Sequence, residues 1–274
     1  MGVKETLKAS MWLEFQIESN WTSPFVFAIY NIFKPVGAAL LLVAMFYVVS
    51  GKLTGTGLAF MYVGNAFYMI LAQTLFSIGW IVHDDREHYS TLRYLYISPT
   101  PYFRYLVGRS ITRYLLSLVP MGVLLLIGLL FKINYVFNLP LLGFVLFVGF
   151  VFIVGTALLI SGINLVTARH GGAIGEAFAG IFYLASGVVF PVAILPSWAQ
   201  QIALVFPTTY WFSMVRIAVL GTENDAFMAG FSLTNLTISL IILSFIYFLL
   251  AYLVFQLADI LARKLGILDM STTY

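Results

Sequence analysis

Residues 83–101 read HDDREHYSTLRYLYISPTP, the densest charged run in a sequence with only 9% charged residues. Asp84, Asp85, Arg86, Glu87 and Arg93 sit together between two long apolar stretches, so this segment belongs in water while its neighbours do not. Asp84 and Asp85 suit the electropositive start of a helix; Tyr89, Leu92 and Tyr96 recur at helical spacing; Pro99 and Pro101 end it. The pattern predicts a two-signed polar helix of about three turns over residues 84–98, held between apolar segments and shaped to be gripped by something soluble. A merely solvated loop is the plainer alternative.

The rest of the chain sets the solvent. Hydrophobic residues make up 61% of 274, well above a soluble domain, so the chain reads as an all-α integral membrane protein. It has no cysteine, which excludes disulfides and thiolate metal sites, and its three histidines form no cluster. His83, His88 and Asp84 are the one set that could meet at a metal, and exposed interfacial polar groups describe them more simply, so no metal site is expected. Residues 1–24 carry Glu5, Glu14 and Glu18 and no continuous apolar core, unlike a cleavable signal peptide.

Along the chain, Ala9, Leu13, Ile17 and Trp21 fall at four-residue steps with Lys4, Glu5, Lys8, Glu14 and Glu18 between them. This predicts an amphipathic interfacial helix within residues 1–23. Ser23 and Pro24 read as the cap and first-turn proline of a span over residues 25–49, interrupted at Lys34 and Pro35, with Lys34 snorkelling or packing. Further spans are expected at 58–82, 102–131, 139–168, 171–192 and 233–257, making six. Arg104, Arg109 and Arg113 form a basic ladder at the entry to the third, and Arg169 with His170 marks a tight turn. Gly171, Gly175 and Ala179, four apart, would let another helix approach closely. Residues 193–220 are apolar but broken by prolines, as half-helices on the outer side would be.

With the N-terminus inside, nine Lys and Arg fall on cytoplasmic segments against three outside (Lys52, Lys132 and Arg216), with Lys34 and Arg113 set aside in spans. The positive-inside rule then puts both termini and residues 83–101 in the cytoplasm, and the net charge of +3 reflects sidedness, not nucleic-acid binding. No phosphate-cradling G-x-x-x-x-G-K-[ST] is present, nor a G-x-S-x-G or H-E-x-x-H, so nucleotide hydrolysis is not expected of this chain. Ionisable residues within spans are few; Glu176 is expected to pair with Arg113 or another arginine near the inner surface. Asn65, Gln73, Ser161 and Asn164 are candidate passage-lining groups in an aromatic background suited to amphipathic cargo.

Two stretches carry a family resemblance. DREHYSTLRYLYISPTPYFRYLVGRS, residues 85–110, and SGVVFPVAILPSWAQQIALVFPTTYWFSMVR, residues 186–216, follow the amphipathic start in order. Together they resemble the permease subunit of the type-2 ABC exporter family. The first matches its acidic-basic start, Thr-Leu, proline and Gly-Arg entering the third span; the second its Phe-Pro, Leu-Pro with tryptophan, and Pro-Thr-Tyr before an arginine. The family usually has glycine before the Thr-Leu and glutamate after it, where this chain has Ser90 and Arg93.

The resemblance implies a single transmembrane domain over 1–274 in the cell membrane, a separate ABC ATPase that binds ATP and magnesium, and a second permease. The ATPase would be met by a coupling helix presenting Asp85, Arg86, Glu87, Tyr89, Leu92, Arg93, Leu95 and Tyr96. Pro191, Pro196, Trp198 and Pro207 would shape an outer gate. An ion-coupled secondary carrier and a non-transporting membrane scaffold are the alternatives from other classes.

Overall fold

The computed structural model describes residues 2–20, 22–52, 55–167 and 171–269, and every regular element among them is helical. The expectations for Trp21, Arg169 and His170 lie outside the described residues. α1 (Val3–Asn20) leads to α2 (Pro24–Ser50), whose start Ser23 caps by accepting a hydrogen bond from the Val26 N–H at 3.4 Å. Pro35 lies inside α2 without ending it. α3 (Thr56–His83) runs on into a π turn (Asp84–His88), followed by the short α4 (Leu92–Ile97). Next come α5 (Tyr102–Leu130), α6 (Leu139–Val166) and α7 (Gly171–Ala185). After α8 (Ser197–Ala203) and α9 (Pro207–Leu220), α10 (Leu233–Leu265) completes the long helices.

Among the described residues, α2, α3 with its π turn, α5, α6 and α10 are each long and apolar enough to cross a membrane. α8 and α9, which meet at 83°, make a sixth candidate only if taken together. The expected span over residues 171–192 is helical only as far as Ala185, and the chain beyond carries Val188 to Gly64 of α3, so the segment as a whole runs along α3 toward its outer end. α7 has 15 residues and stops at Ala185, reaching about 22 Å against the about 30 Å of a hydrocarbon core. Gly187, at φ 69°, turns the backbone into the left-handed region just beyond and ends the run. α10 outlasts its expected end and carries Arg263 and Lys264 in its last turn.

α3 is the axis of the molecule, buried along most of its length and packed against α5, α6 and α7. α6 lies along α10 through Gly155 and Gly162, where an added Cβ would come within 3.1 Å of the Phe248 Cα and 3.0 Å of the Phe255 Cα. The two glycines bring the backbones together, which is how helices gain contact where lipid supplies no hydrophobic drive. On α7, an added Cβ at Gly175 would lie 3.1 Å from the Leu75 carbonyl oxygen, and the Ala179 carbonyl accepts the Tyr68 hydroxyl at 3.0 Å. Gly171 opens the same helix.

α1 packs on α5 with its polar side inward. Thr6, Ser10 and Glu14, at four-residue steps, are buried, while Val3, Trp12, Leu13 and Phe15 face out. A helix on a water-soluble protein does the reverse, so the outward apolar face suits lipid. Gly108 makes the crossing: a Cβ there would sit 1.8 Å from the Ser10 Oγ.

The glycine contacts give a direct check. Gly162→Leu should lower the thermal unfolding midpoint of the detergent-purified chain by several degrees, because its side chain collides with the α10 backbone. Gly180→Leu, where an added Cβ meets nothing within 4 Å, should leave it almost unchanged; equal effects would contradict this packing.

Candidate functional site

The site grows from Asp85, two residues past the end of the regular part of α3 and only 1% exposed. Its carboxylate accepts hydrogen bonds from the Tyr102 hydroxyl at 3.0 Å, the Tyr105 hydroxyl at 3.3 Å and the Arg109 Nη1 at 2.8 Å. Arg109, equally buried, directs its Nε to Glu14 of α1. One turn further along α5, Arg113 bridges Glu14 and Glu18. Thr112 adds a hydrogen bond to the Met11 carbonyl at 3.0 Å. Two glutamates four apart on α1 thus meet two arginines four apart on α5, and charges that would be prohibitive alone are buried together.

This overturns the expected Arg113–Glu176 pair. Arg113 is taken up by the α1 glutamates, and Glu176 is exposed on α7 with no ion pair among the described residues. It also moves Asp84 and Asp85 from the start of a helix to the end of one. The negative end of a helix dipole is a poor place for a carboxylate, and Arg109 offsets that at Asp85.

The coupling segment is two pieces, not one three-turn helix. Ser90, at φ 52°, separates the π turn from α4; it stands where the resembled family has glycine, the residue suited to that conformation. Three of the expected partner-contacting residues are buried within this chain. Asp85 is held as described, Arg86 donates from Nη2 to the Leu165 carbonyl in the last turn of α6 at 2.8 Å, and Leu92 is 1% exposed in the core. Arg86 there meets the electronegative end of α6.

Tyr96 is half-buried and donates its hydroxyl to Asp259 of α10 at 2.6 Å, with Arg263 over its ring and bonded to the same carboxylate at 3.1 Å. Burial, then the Asp259 carboxylate, push the Tyr96 phenol well above its ordinary pKa, so it stays a donor. Glu87 and Leu95 are half-buried; Tyr89 and Arg93 are exposed. The most exposed apolar side chains of α4 are Tyr94 at 67% and Ile97 at 80%, neither of which stands out in the sequence.

Two of the candidate lining groups are interhelical ties instead. The Ser161 hydroxyl bonds the Ile78 carbonyl at 3.2 Å and the Asn164 amide the Gly79 carbonyl at 2.7 Å, fixing α6 to α3. Asn65 is also buried, donating to the Met61 carbonyl at 3.1 Å and accepting from the Tyr183 hydroxyl at 3.3 Å. Gln73 alone of the four faces open space, a cavity of about 340 Å³ between α1, α2, α3 and α5.

At the opposite end of the bundle, Arg216 is a correction to the charge count. It is 2% exposed, stacked 3.5 Å from the Phe60 ring centroid, and bonded to the carbonyls of Gly187, Val188 and Phe60. The Gly187 and Val188 carbonyls are released where α7 ends, and the guanidinium collects them together with the Phe60 carbonyl of α3. Asp225, also buried, accepts the N–H groups of Val192 at 2.5 Å and Ala193 at 3.3 Å, holding the broken stretch in place. Pro191 is half-buried, Pro196 and Trp198 project outward, and Pro207 is buried at the start of α9. In the loop beyond, burial raises the Glu223 carboxyl above the usual range, opposed by Arg216.

The ionic junction was legible in principle: Glu14/Glu18 and Arg109/Arg113 share one spacing. Glu14→Gln and Arg109→Met should each destabilise the chain, Arg109→Met by on the order of 3–5 kcal/mol because it strands buried carboxylates. The double variant should lose clearly less than the sum of the two, measured by thermal unfolding in detergent. Strict additivity would show that the pair is not coupled.

No curated protein matches the chain. The family model described as ABC-2 type transporter matches residues 5–220, from α1 through the junction and the broken stretch to the end of α9. With most of its length matched in this way, the chain is a multi-pass membrane protein of the ABC-2 type transporter family.

Proposed function

We propose that this chain is the permease subunit of an ATP-driven exporter: it forms half of a passage and takes its energy from a separate ABC ATPase seated against α4. Two permeases and two ATPases would make the working unit, in the cell membrane, with both termini and α4 in the cytoplasm. The cargo would be amphipathic, drug-like or lipid-like. The observation that carries this reading is the junction. An exposed Tyr94 and Ile97 stand on a helix tied through Tyr96 to α10, and the adjoining turn is tied through Arg86 to α6 and through Asp85 and Arg109 to α5 and α1. A push on α4 therefore reaches several long helices through short, charge-assisted contacts.

Sidedness keeps its sense once Arg216 is set aside as buried, leaving Lys52 and Lys132 on the outer segments. The broken stretch would then be an outer gate, pinned by Arg216 and Asp225.

The docking surface is tested by Tyr94→Asp combined with Ile97→Asp. The variant should remain monodisperse yet recover at least tenfold less ATPase on co-purification; full recovery with normal cargo-stimulated hydrolysis would reject α4 as the contact. Leu92→Asp is a poor probe, since it damages the core of the chain. The topology is tested by placing single cysteines at Ser197 and Thr222, both exposed in a chain with no cysteine of its own. A membrane-impermeant thiol reagent should label both in intact cells, and protection of both would overturn the orientation.

A further inference from the structure

The cavity beside Gln73 has a chemistry of its own. Its floor is set by Asp84, half-buried, whose carboxylate makes no hydrogen bond or ion pair among the described residues. Phe27 and Tyr30 of α2 and Phe76 and Trp80 of α3 supply aromatic walls. The Trp80 indole N–H is buried and without an acceptor among the described residues.

Among the described residues, the surrounding charges leave a negative balance. Glu14, Glu18, Asp84 and Asp85 bring four carboxylates to a region whose guanidiniums are Arg109 and Arg113. Both arginines are already engaged by the other three carboxylates, Arg113 doing so from the cavity wall, and among the described residues His83 and His88 are the remaining titratable groups acting on Asp84. An unpaired carboxylate in a cavity walled by aromatic rings attracts a positive charge twice, by direct attraction and through the negative faces of the rings. The lining has two carboxylates, Asp84 and Glu18, of which Glu18 is already paired with Arg113, and among the described residues there is no cluster of ligands to hold a bare metal ion. An organic cation keeps its charge diffuse and has bulk to fill the space.

We infer that this cavity binds an organic cation with an aromatic or aliphatic body, with Asp84 as the counter-charge and Trp80 as a stacking wall. A hydroxyl or carbonyl on the ligand would satisfy the Trp80 N–H. The occupant would lie one residue from Asp85, and so beside the turn that holds α4. Only the step from ligand to cargo rests on the permease reading; binding itself does not.

Ethidium, a planar amphipathic cation, is a direct probe, with the anion 8-anilinonaphthalene-1-sulfonate as its counterpart. For the chain purified in a neutral detergent, ethidium anisotropy should saturate at one per chain. Asp84→Asn should weaken binding at least tenfold, and Trp80→Leu should weaken it severalfold while Trp80→Phe retains most of it. Ser77→Trp, which fills the cavity without touching Asp84, should abolish binding, and size-exclusion profiles should match the parent throughout. Ethidium affinity unchanged in Asp84→Asn or Ser77→Trp, or full competition by the anion, would overturn the inference. Neither ATP nor an ATPase is present, so a chain that binds ethidium but recruits no ATPase refutes the permease reading alone. One that recruits ATPase but ignores ethidium refutes the cation site alone.

Discussion

Arg109 is a buried guanidinium, and a buried guanidinium must find its counter-charges within the protein. It finds Glu14, 95 residues earlier on α1, and Asp85, 24 residues earlier at the end of α3. Those two contacts fix how α1 lies on α5 and where the long apolar helix α3 gives way to the charged turn. The Gly108 crossing, the inward polar stripe of α1 and its outward apolar face all follow from them. α4 inherits its position, because the turn before it is held at Asp85 and Arg86 and the helix itself at Tyr96.

The same logic recurs at the far end on a smaller scale. A helix that stops inside a membrane protein leaves carbonyl groups that lipid cannot satisfy. Where α7 ends, Arg216 takes up the carbonyls and Asp225 takes up the N–H groups of the following turn. Both ends of the molecule are thus organised by one buried arginine and buried carboxylates, with largely apolar helices between.

The long helices were readable because their apolar runs match a bilayer in length, and Ser23–Pro24 marked a start with its own mechanism. Other features depended on information that local pattern does not hold. An amphipathic stripe on α1 fixes that one face is buried, but which face depends on whether the solvent is water or lipid. Charge runs are usually solvated, so Asp85, Arg86 and Arg109 read as surface, although their partners lie across the sequence. Ser161 and Asn164 looked like passage groups because a polar residue in a span must bond something; neighbouring backbone carbonyls on α3 supply it. Arg216 was counted with the loops because nothing nearby in sequence announces that it gathers carbonyls from Phe60, Gly187 and Val188. The helix within residues 171–192 looked longer than it is because the left-handed turn at Gly187 was not distinguishable from an ordinary membrane glycine.

The central claim is that Asp85 transmits what happens at α4 into the long helices. Its most direct test is the flux of cargo per ATP hydrolysed by the reconstituted complex carrying Asp85→Asn. That substitution keeps the shape of the side chain and removes the charge that holds Arg109. The ATPase should still assemble, because the exposed face of α4 is untouched, while flux per ATP falls at least tenfold. Flux per ATP equal to that of the parent, with assembly intact, would contradict the account.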